Sequence, residues 1–260
     1  MQLRVIQWNI KINSNSKSIK NLLSKYIKNN TIVNLQEVTE NTYNEISQSI
    51  SGDRAFSLLH RSPGIYEGKN RKMGVMTVVH NGVILKSTLV HQSLFPERTL
   101  MTQISFDNQI ITNLTFHSLT GVDYKKAKAS NFASIASYMA TQDIDIFTCD
   151  ANEPEVDSFF ENEIKFFDNR DKGINAGLLF GKDKIHNLVD TYKIFAKEQK
   201  IDLEEGFTHM TGNRRKRYDF IYCKPQWKIV HSEVRYVESI EATSDHGIII
   251  SDLEIYSDNG

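Results

Sequence analysis

The chain has 260 residues, 40% hydrophobic and 24% charged, the proportions of an ordinary globular protein with room for one sizeable core. A formal net charge of −1 excludes bulk attraction to a polyanion, so any nucleic acid has to be held by local clusters. No segment approaches membrane-spanning length and MQLRVIQWNI lacks the apolar run of a signal peptide, which predicts a cytoplasmic protein with no membrane partner.

Period-two alternation predicts the first strand over RVIQWNI. Ile19, Leu22, Leu23, Tyr26 and Ile27 then share one face of a helix. Strands follow at TIVNLQEV and MGVMTVVHNGVIL, the latter broken by Asn81–Gly82 as a hairpin turn. LMTQISF and QIITNLTFHS form a second hairpin through Asp107–Asn108. A helix is expected from Asp123, its N-cap, to Met139, then the strand IDIFTC and a short helix starting at Pro154. RYDFIYC and HGIIISDLEIY complete the strands. With no linker or repeat to divide it, residues 1–260 read as a single α+β domain, two sheets packed together with helices outside. Cys149 and Cys223 fall in strands and are expected as buried thiols rather than a disulfide.

The same strands share a second habit: they end in acids, amides or imidazoles. Asn9, Glu37, His117, Asp150 with Asn152, Asp219, and Asp245 with His246 stand at the ends of separate strands. One such residue is ordinary turn chemistry, whereas most of these precede no helix and so are not caps. Carboxylates and amides with few thiolates favour a hard cation, Mg2+ or Mn2+, over zinc. HExxH, CxxC, GxxxxGK[ST] and GxSxG are all absent. Hard-cation ligands with imidazoles suit hydrolysis of a phosphate ester.

QWNI, LQEV, FHS, CDAN, RYDFIY and SDH, in that order, resemble the endonuclease/exonuclease/phosphatase superfamily from Asn9 to His246. The resemblance implies a four-layer sandwich of two mixed sheets between helices, with a metal site at one edge. It makes Glu37 the principal metal ligand, with Asn9 beside it and Asp245 helping to hold the ion or its water. Asp150 and Asn152 would position the attacking water and the phosphate. His246, oriented by Asp219, would contact the phosphate or move a proton, and His117 would supply a second imidazole. Thr208 resembles a threonine near the site, and Arg98 is a further candidate phosphate contact.

Departures narrow the substrate. His117, Lys216 and Gly247 stand where abasic-site enzymes carry Tyr, Trp and Pro, and KRYDFIY lacks the WCDR signature of inositol 5-phosphatases. Two basic clusters, GKNRK at 68–72 and NRRKR at 213–217, suit a polyanion, and Arg214, Arg215, Lys216 and Arg217 lie just before Asp219. The reading is a metal-dependent phosphodiesterase, a nuclease acting on DNA rather than RNA, with no obligate protein partner. A sphingomyelinase-like phospholipid or small-molecule phosphodiesterase is the second reading, and a catalytically silent binding module the third.

Overall fold

The computed structural model describes residues 1–62, 72–121, 127–167 and 171–255. The expected cap Asp123 and residues 68–71 of the first basic cluster lie outside these. In chain order the elements are β1 (Gln2–Asn9), α1 (Ser16–Tyr26), β2 (Thr31–Val38), α2 (Glu40–Ser49), β3 (Asp53–Phe56), α3 (Ser57–His60), β4 (Gly74–His80) and β5 (Val83–Thr88). They continue with β6 (Thr99–Phe106), β7 (Gln109–His117), α4 (Lys128–Met139), β8 (Ile146–Asp150), α5 (Ile174–Phe180), β9 (Val189–Asp190) and α6 (Thr191–Gln199). Last come β10 (His209–Thr211), β11 (Arg214–Lys216), β12 (Asp219–Cys223), β13 (Lys228–Arg235), α7 (Tyr236–Glu241) and β14 (Ile248–Glu254).

Two mixed six-stranded sheets result, ordered β13-β14-β1-β2-β4-β3 and β5-β6-β7-β8-β12-β9. The outer face of the first packs Ile6, Trp8, Val33 and Leu35 under α1 and α2. The outer face of the second packs Leu114, Phe116, Phe147 and Phe220 under α4 and α5. Helix, sheet, sheet and helix therefore make four layers, the α+β sandwich expected. Local chemistry starts the helices: the Asn15 side chain accepts from the Ser18 amide to open α1, and Thr39 does the same for α2.

The inner faces carry a gradient that places the site. Alternate residues run Leu3, Val5, Gln7, Asn9 in β1 and Ile111, Asn113, Thr115, His117 in β7. They run Ile146, Thr148, Asp150 in β8 and, in reverse, Cys223, Ile221, Asp219 in β12. Leu3, Val5, Ile32, Ile111, Ile146 and Ile221 form one buried apolar cluster between the sheets. Beyond it the sheets meet through amides: Asn34 donates to Asn113 at 2.8 Å, Gln36 to Thr115 at 3.0 Å, and Gln7 exchanges bonds with Gln36 at 2.5 and 2.8 Å. Buried polar groups are tolerated because they pair with one another.

Two local expectations are corrected. Asn81–Gly82 makes no hairpin, since β4 pairs in the first sheet and β5 in the second. The turn carries the chain between layers, and a Cβ at Gly82 would lie 2.6 Å from the Phe106 ring, so the crossing needs glycine. Pro154 starts no helix; two residues on, the Val156 backbone bonds Lys165 in both directions at 3.0 and 2.9 Å. α4 is described from Lys128 to Met139, the end expected for it. Asp107–Asn108 does join β6 to β7 with Phe106 opposite Gln109. Cys149 and Cys223 are buried free thiols. Among the described residues, no helix is long and apolar enough to cross a membrane.

His186 supplies a pH dependence remote from the strand ends. Its Nε2 donates to the Leu179 carbonyl at 3.0 Å, while Nδ1 is buried without a partner against Phe147 and Tyr222. Burial lowers its pKa to about 4. The unfolded chain takes up this proton near pH 6.5 and the native state only near 4, so acidification through that window destabilises the fold. His186→Gln is expected to remove roughly 2 kcal/mol of the stability lost between pH 6.5 and 4, read from urea midpoints. Equal acid sensitivity in both proteins would contradict this.

Candidate active site

His117, Asp150 and Asp219 are register partners on three neighbouring strands, β7, β8 and β12. Laterally aligned residues point to the same face, so the pleat aims all three inward at one end of the sheet. From the facing sheet come Asn9 at the end of β1 and His246 at the entry to β14. Glu37 has the wrong parity to join them, because its neighbour Gln36 already faces inward. A register shift between Leu35 and Val38 and a φ of 59° at Glu37 turn its side chain to the site. A left-handed glutamate is uncommon and costs on the order of 1 kcal/mol, a strain that clusters at functional positions.

The Asn9 amide links two carboxylates, donating to Asp150 at 2.8 Å and to Glu37 at 3.3 Å. Glu37 also accepts from the Ile12 amide at 2.7 Å. His117 Nε2 lies 3.6 Å from Asp150 and 3.8 Å from Glu37. Its own burial, with the positive charges of Arg98 and His246, holds that imidazole neutral, well below the usual histidine range. His246 behaves oppositely. Burial favours its neutral form, but Asp219 and Asp150 outweigh that and push it to about 10. Its Nδ1 is 2.8 Å from Asp219, leaving Nε2 3.9 Å from Asp150. Burial, with Asp219 nearby, raises Asp150 to about 7 against the lowering effect of His246 and the Asn9 bond.

Donor atoms of Asp150, Asp219 and His246 lie within 4.8 Å of one another, the one such cluster among the described residues. It does not contain the expected metal donors. Asp219 and His246 there form a hydrogen-bonded ion pair, and a protonated imidazole is no ligand. Glu37 lies outside that cluster, joined to Asp150 through the Asn9 amide, and a carboxylate with a neutral imidazole 3.8 Å away suits a hard divalent cation. Asp245 instead pairs with Lys11 at 3.3 Å, both side chains about half exposed.

No family model matches the chain, and no curated protein matches its sequence. Solved structures do. TDP2 of D. rerio, complexed with single-strand DNA product, superposes with a TM-score of 0.68 at 15% identity, covering 98% of this chain and 99% of that one. The human Nocturnin catalytic domain gives 0.65 at 14% identity over 98% and 94%. The endonuclease/exonuclease/phosphatase from Bacteroides vulgatus gives 0.61 at 15% over 98% and 100%.

The chain shares the fold of these three proteins.

On this fold the residues expected to hold substrate divide into open and committed. Arg214 is exposed, and Arg215 is exposed over the Phe207 ring at 4.7 Å with Glu205 at 3.4 Å. With Lys216, whose ammonium donates to the Glu155 carbonyl, they line a groove of about 590 Å³ shared with Pro154, Val156 and Phe207. Arg217 is corrected: it is 5% exposed and its guanidinium binds Asp157 at 2.6 Å and Asp190 at 2.7 Å, so it braces the fold. Thr208 is corrected likewise. Its buried hydroxyl accepts from the Tyr218 and Asp219 amides at 3.0 and 3.2 Å, fixing the start of β12. Arg98 ends a 3-10 turn, Pro96–Arg98, and is 1% exposed. It donates to the Ser118 carbonyl at 3.4 Å, so it acts on the site from behind.

Sequence reading missed the residues that support the first rank. Gln7 donates to Asp219 at 3.4 Å, a role its inward parity in β1 signals once the face is known. His209, which belongs to no motif, lies with its ring centroid 4.6 Å from that of His246, the two rings tilted by 44°, and bridges to its backbone. Only tertiary pairing brings these strands together.

Proposed function

We propose that the protein is a divalent-metal-dependent phosphodiesterase, most plainly a nuclease acting on DNA. The observation that carries the reading is the buried Asp219–His246 pair facing Asp150, Asn9 and Glu37 at one open sheet edge. Glu37, with Asn9 beside it, would hold Mg2+ or Mn2+, which when bound offsets charge on the phosphate oxygens. His246 is kept protonated by Asp219 and Asp150, so its Nε2–H can donate to a phosphoryl oxygen as negative charge grows there. Asp219 fixes the ring direction, as a carboxylate does for a catalytic imidazole. Asp150, more basic than a free carboxylate, orients a water and takes its proton. Asn152, at φ 50° just past β8, offers its amide beside Asp150. His117 stays neutral and donates or accepts without adding charge.

Arg214 and Arg215 at the groove support a polyanionic substrate over a lipid headgroup, by screened attraction to a phosphodiester backbone. TDP2 of D. rerio binding a single-strand DNA product on this fold favours the same class. Incubating the protein with supercoiled plasmid and Mg2+ or Mn2+ is expected to give nicking that chelator, Glu37→Ala and His246→Ala each abolish. Nicking that survives chelator and both substitutions would refute the site, and an intact plasmid alongside cleaved sphingomyelin would establish the phospholipid reading.

A further inference from the structure

Lys128 is the first residue of α4 and is 1% exposed, with Glu153 at 0%. Three features make that placement costly. A lysine at a helix N-terminus opposes the macrodipole, burial strips the ammonium of water, and burial does the same to the carboxylate. The contacts show what offsets the cost. Lys128 Nζ lies 2.8 Å from Glu153 Oε1 and donates to the Asn152 carbonyl at 2.7 Å. Phe132 and Phe167 flank the ammonium at 5.8 and 5.7 Å, and Glu153 Oε2 accepts from the Phe167 amide at 2.9 Å.

Asn152 needs such an anchor. Its φ of 50° is left-handed, and its side-chain amide has only long contacts, 3.5 Å to the Ser118 carbonyl and 3.4 Å to Asp150. The side chain is therefore directed by its backbone, and the backbone is held on one side by the Asp150 carboxylate, which accepts its N–H at 3.0 Å, and on the other by Lys128.

We infer that Lys128 and Glu153 are positioning residues: their buried ion pair fixes the Asn152 carbonyl and so aims the Asn152 amide at the substrate phosphate. The assignment rests on the phosphodiesterase reading for its kinetic consequence, though not for its structural one. The decisive variant is Lys128→Met combined with Glu153→Gln, which removes both charges at similar volume and leaves neither buried alone. Its kcat on the cleaved phosphodiester is expected to fall about 10- to 100-fold with KM within about twofold, the pattern of an interaction made in the transition state. In an Asn152→Ala background the same pair is expected to change kcat by less than about twofold, because its effect travels through Asn152. A wild-type kcat in the paired variant, or an equal loss with and without Asn152, would overturn the inference. A crystal structure of the unaltered chain provides a test that needs neither activity nor a foldable variant. The Asn152 carbonyl within hydrogen-bond reach of Lys128 and a left-handed Asn152 are expected; a carbonyl turned away refutes the inference even if the phosphodiesterase reading stands.

Discussion

Asp219→Asn is expected to yield a folded protein whose phosphodiester turnover falls about 10³- to 10⁴-fold, the loss seen when a buried carboxylate that orients a catalytic imidazole becomes an amide. The substitution keeps the volume and the backbone bonds, since the Asp219 amide donates to Thr208 and its strand partner is Asp150. What disappears is the negative charge 2.8 Å from His246 Nδ1. In the wild type that charge, with Asp150, overcomes burial and holds His246 protonated up to about pH 10. A raised folded pKa stabilises the native state fully below pH 6.5 and loses that stabilisation as pH climbs to about 10. The Asn variant should therefore lose activity at lower pH on the alkaline side and show a flatter alkaline dependence of stability. Measuring kcat against pH together with thermal midpoints checks both. Near wild-type turnover in a folded Asn variant would remove Asp219 and His246 from the mechanism.

Arg217→Met is expected to cost about 3 to 5 kcal/mol of folding stability, because it leaves two buried carboxylates without their shared partner. Burial alone would raise Asp157, yet Arg217 and Lys193 outweigh it and hold that carboxyl below its usual range. Without the guanidinium, Asp157 keeps only Lys193, at 2.6 Å, and Asp190 loses a 2.7 Å contact. The guanidinium also lies 4.5 Å from the Phe220 ring, so the packing under α5 loosens as well. For a chain of this size the thermal midpoint should drop by about 10 °C. Arg214→Ala, three residues away, is expected to leave the midpoint unchanged and to raise KM on nucleic acid with a shallower salt dependence. An Arg217 variant of wild-type stability would return that residue to the substrate surface. The contrast separates two arginines that sequence treats as one cluster.

The sequence by itself determined the strands that matter and the gradient within them. Leu3-Val5-Gln7-Asn9 and Ile111-Asn113-Thr115-His117 are period-two patterns whose last member is polar, and such a pattern survives without any partner in view. It also placed Asn9, Asp150, Asp219 and His246 at strand ends. Tertiary structure alone decided which ends meet. β7, β8 and β12 come into register only when β8 pairs in parallel with one neighbour and antiparallel with the other, a choice that alternation does not encode. Glu37 reaches the site by a register shift and a left-handed φ, which period-two reading would have turned the wrong way. Asn81–Gly82 looks like a hairpin because turn chemistry is local, whereas the sheet each flanking strand joins is set by distant residues. Arg214 and Arg217 share a charge and a neighbourhood in sequence. One is exposed and the other is buried between Asp157 and Asp190, because burial follows from packing across sequence separations of 27 and 60 rather than from residue type.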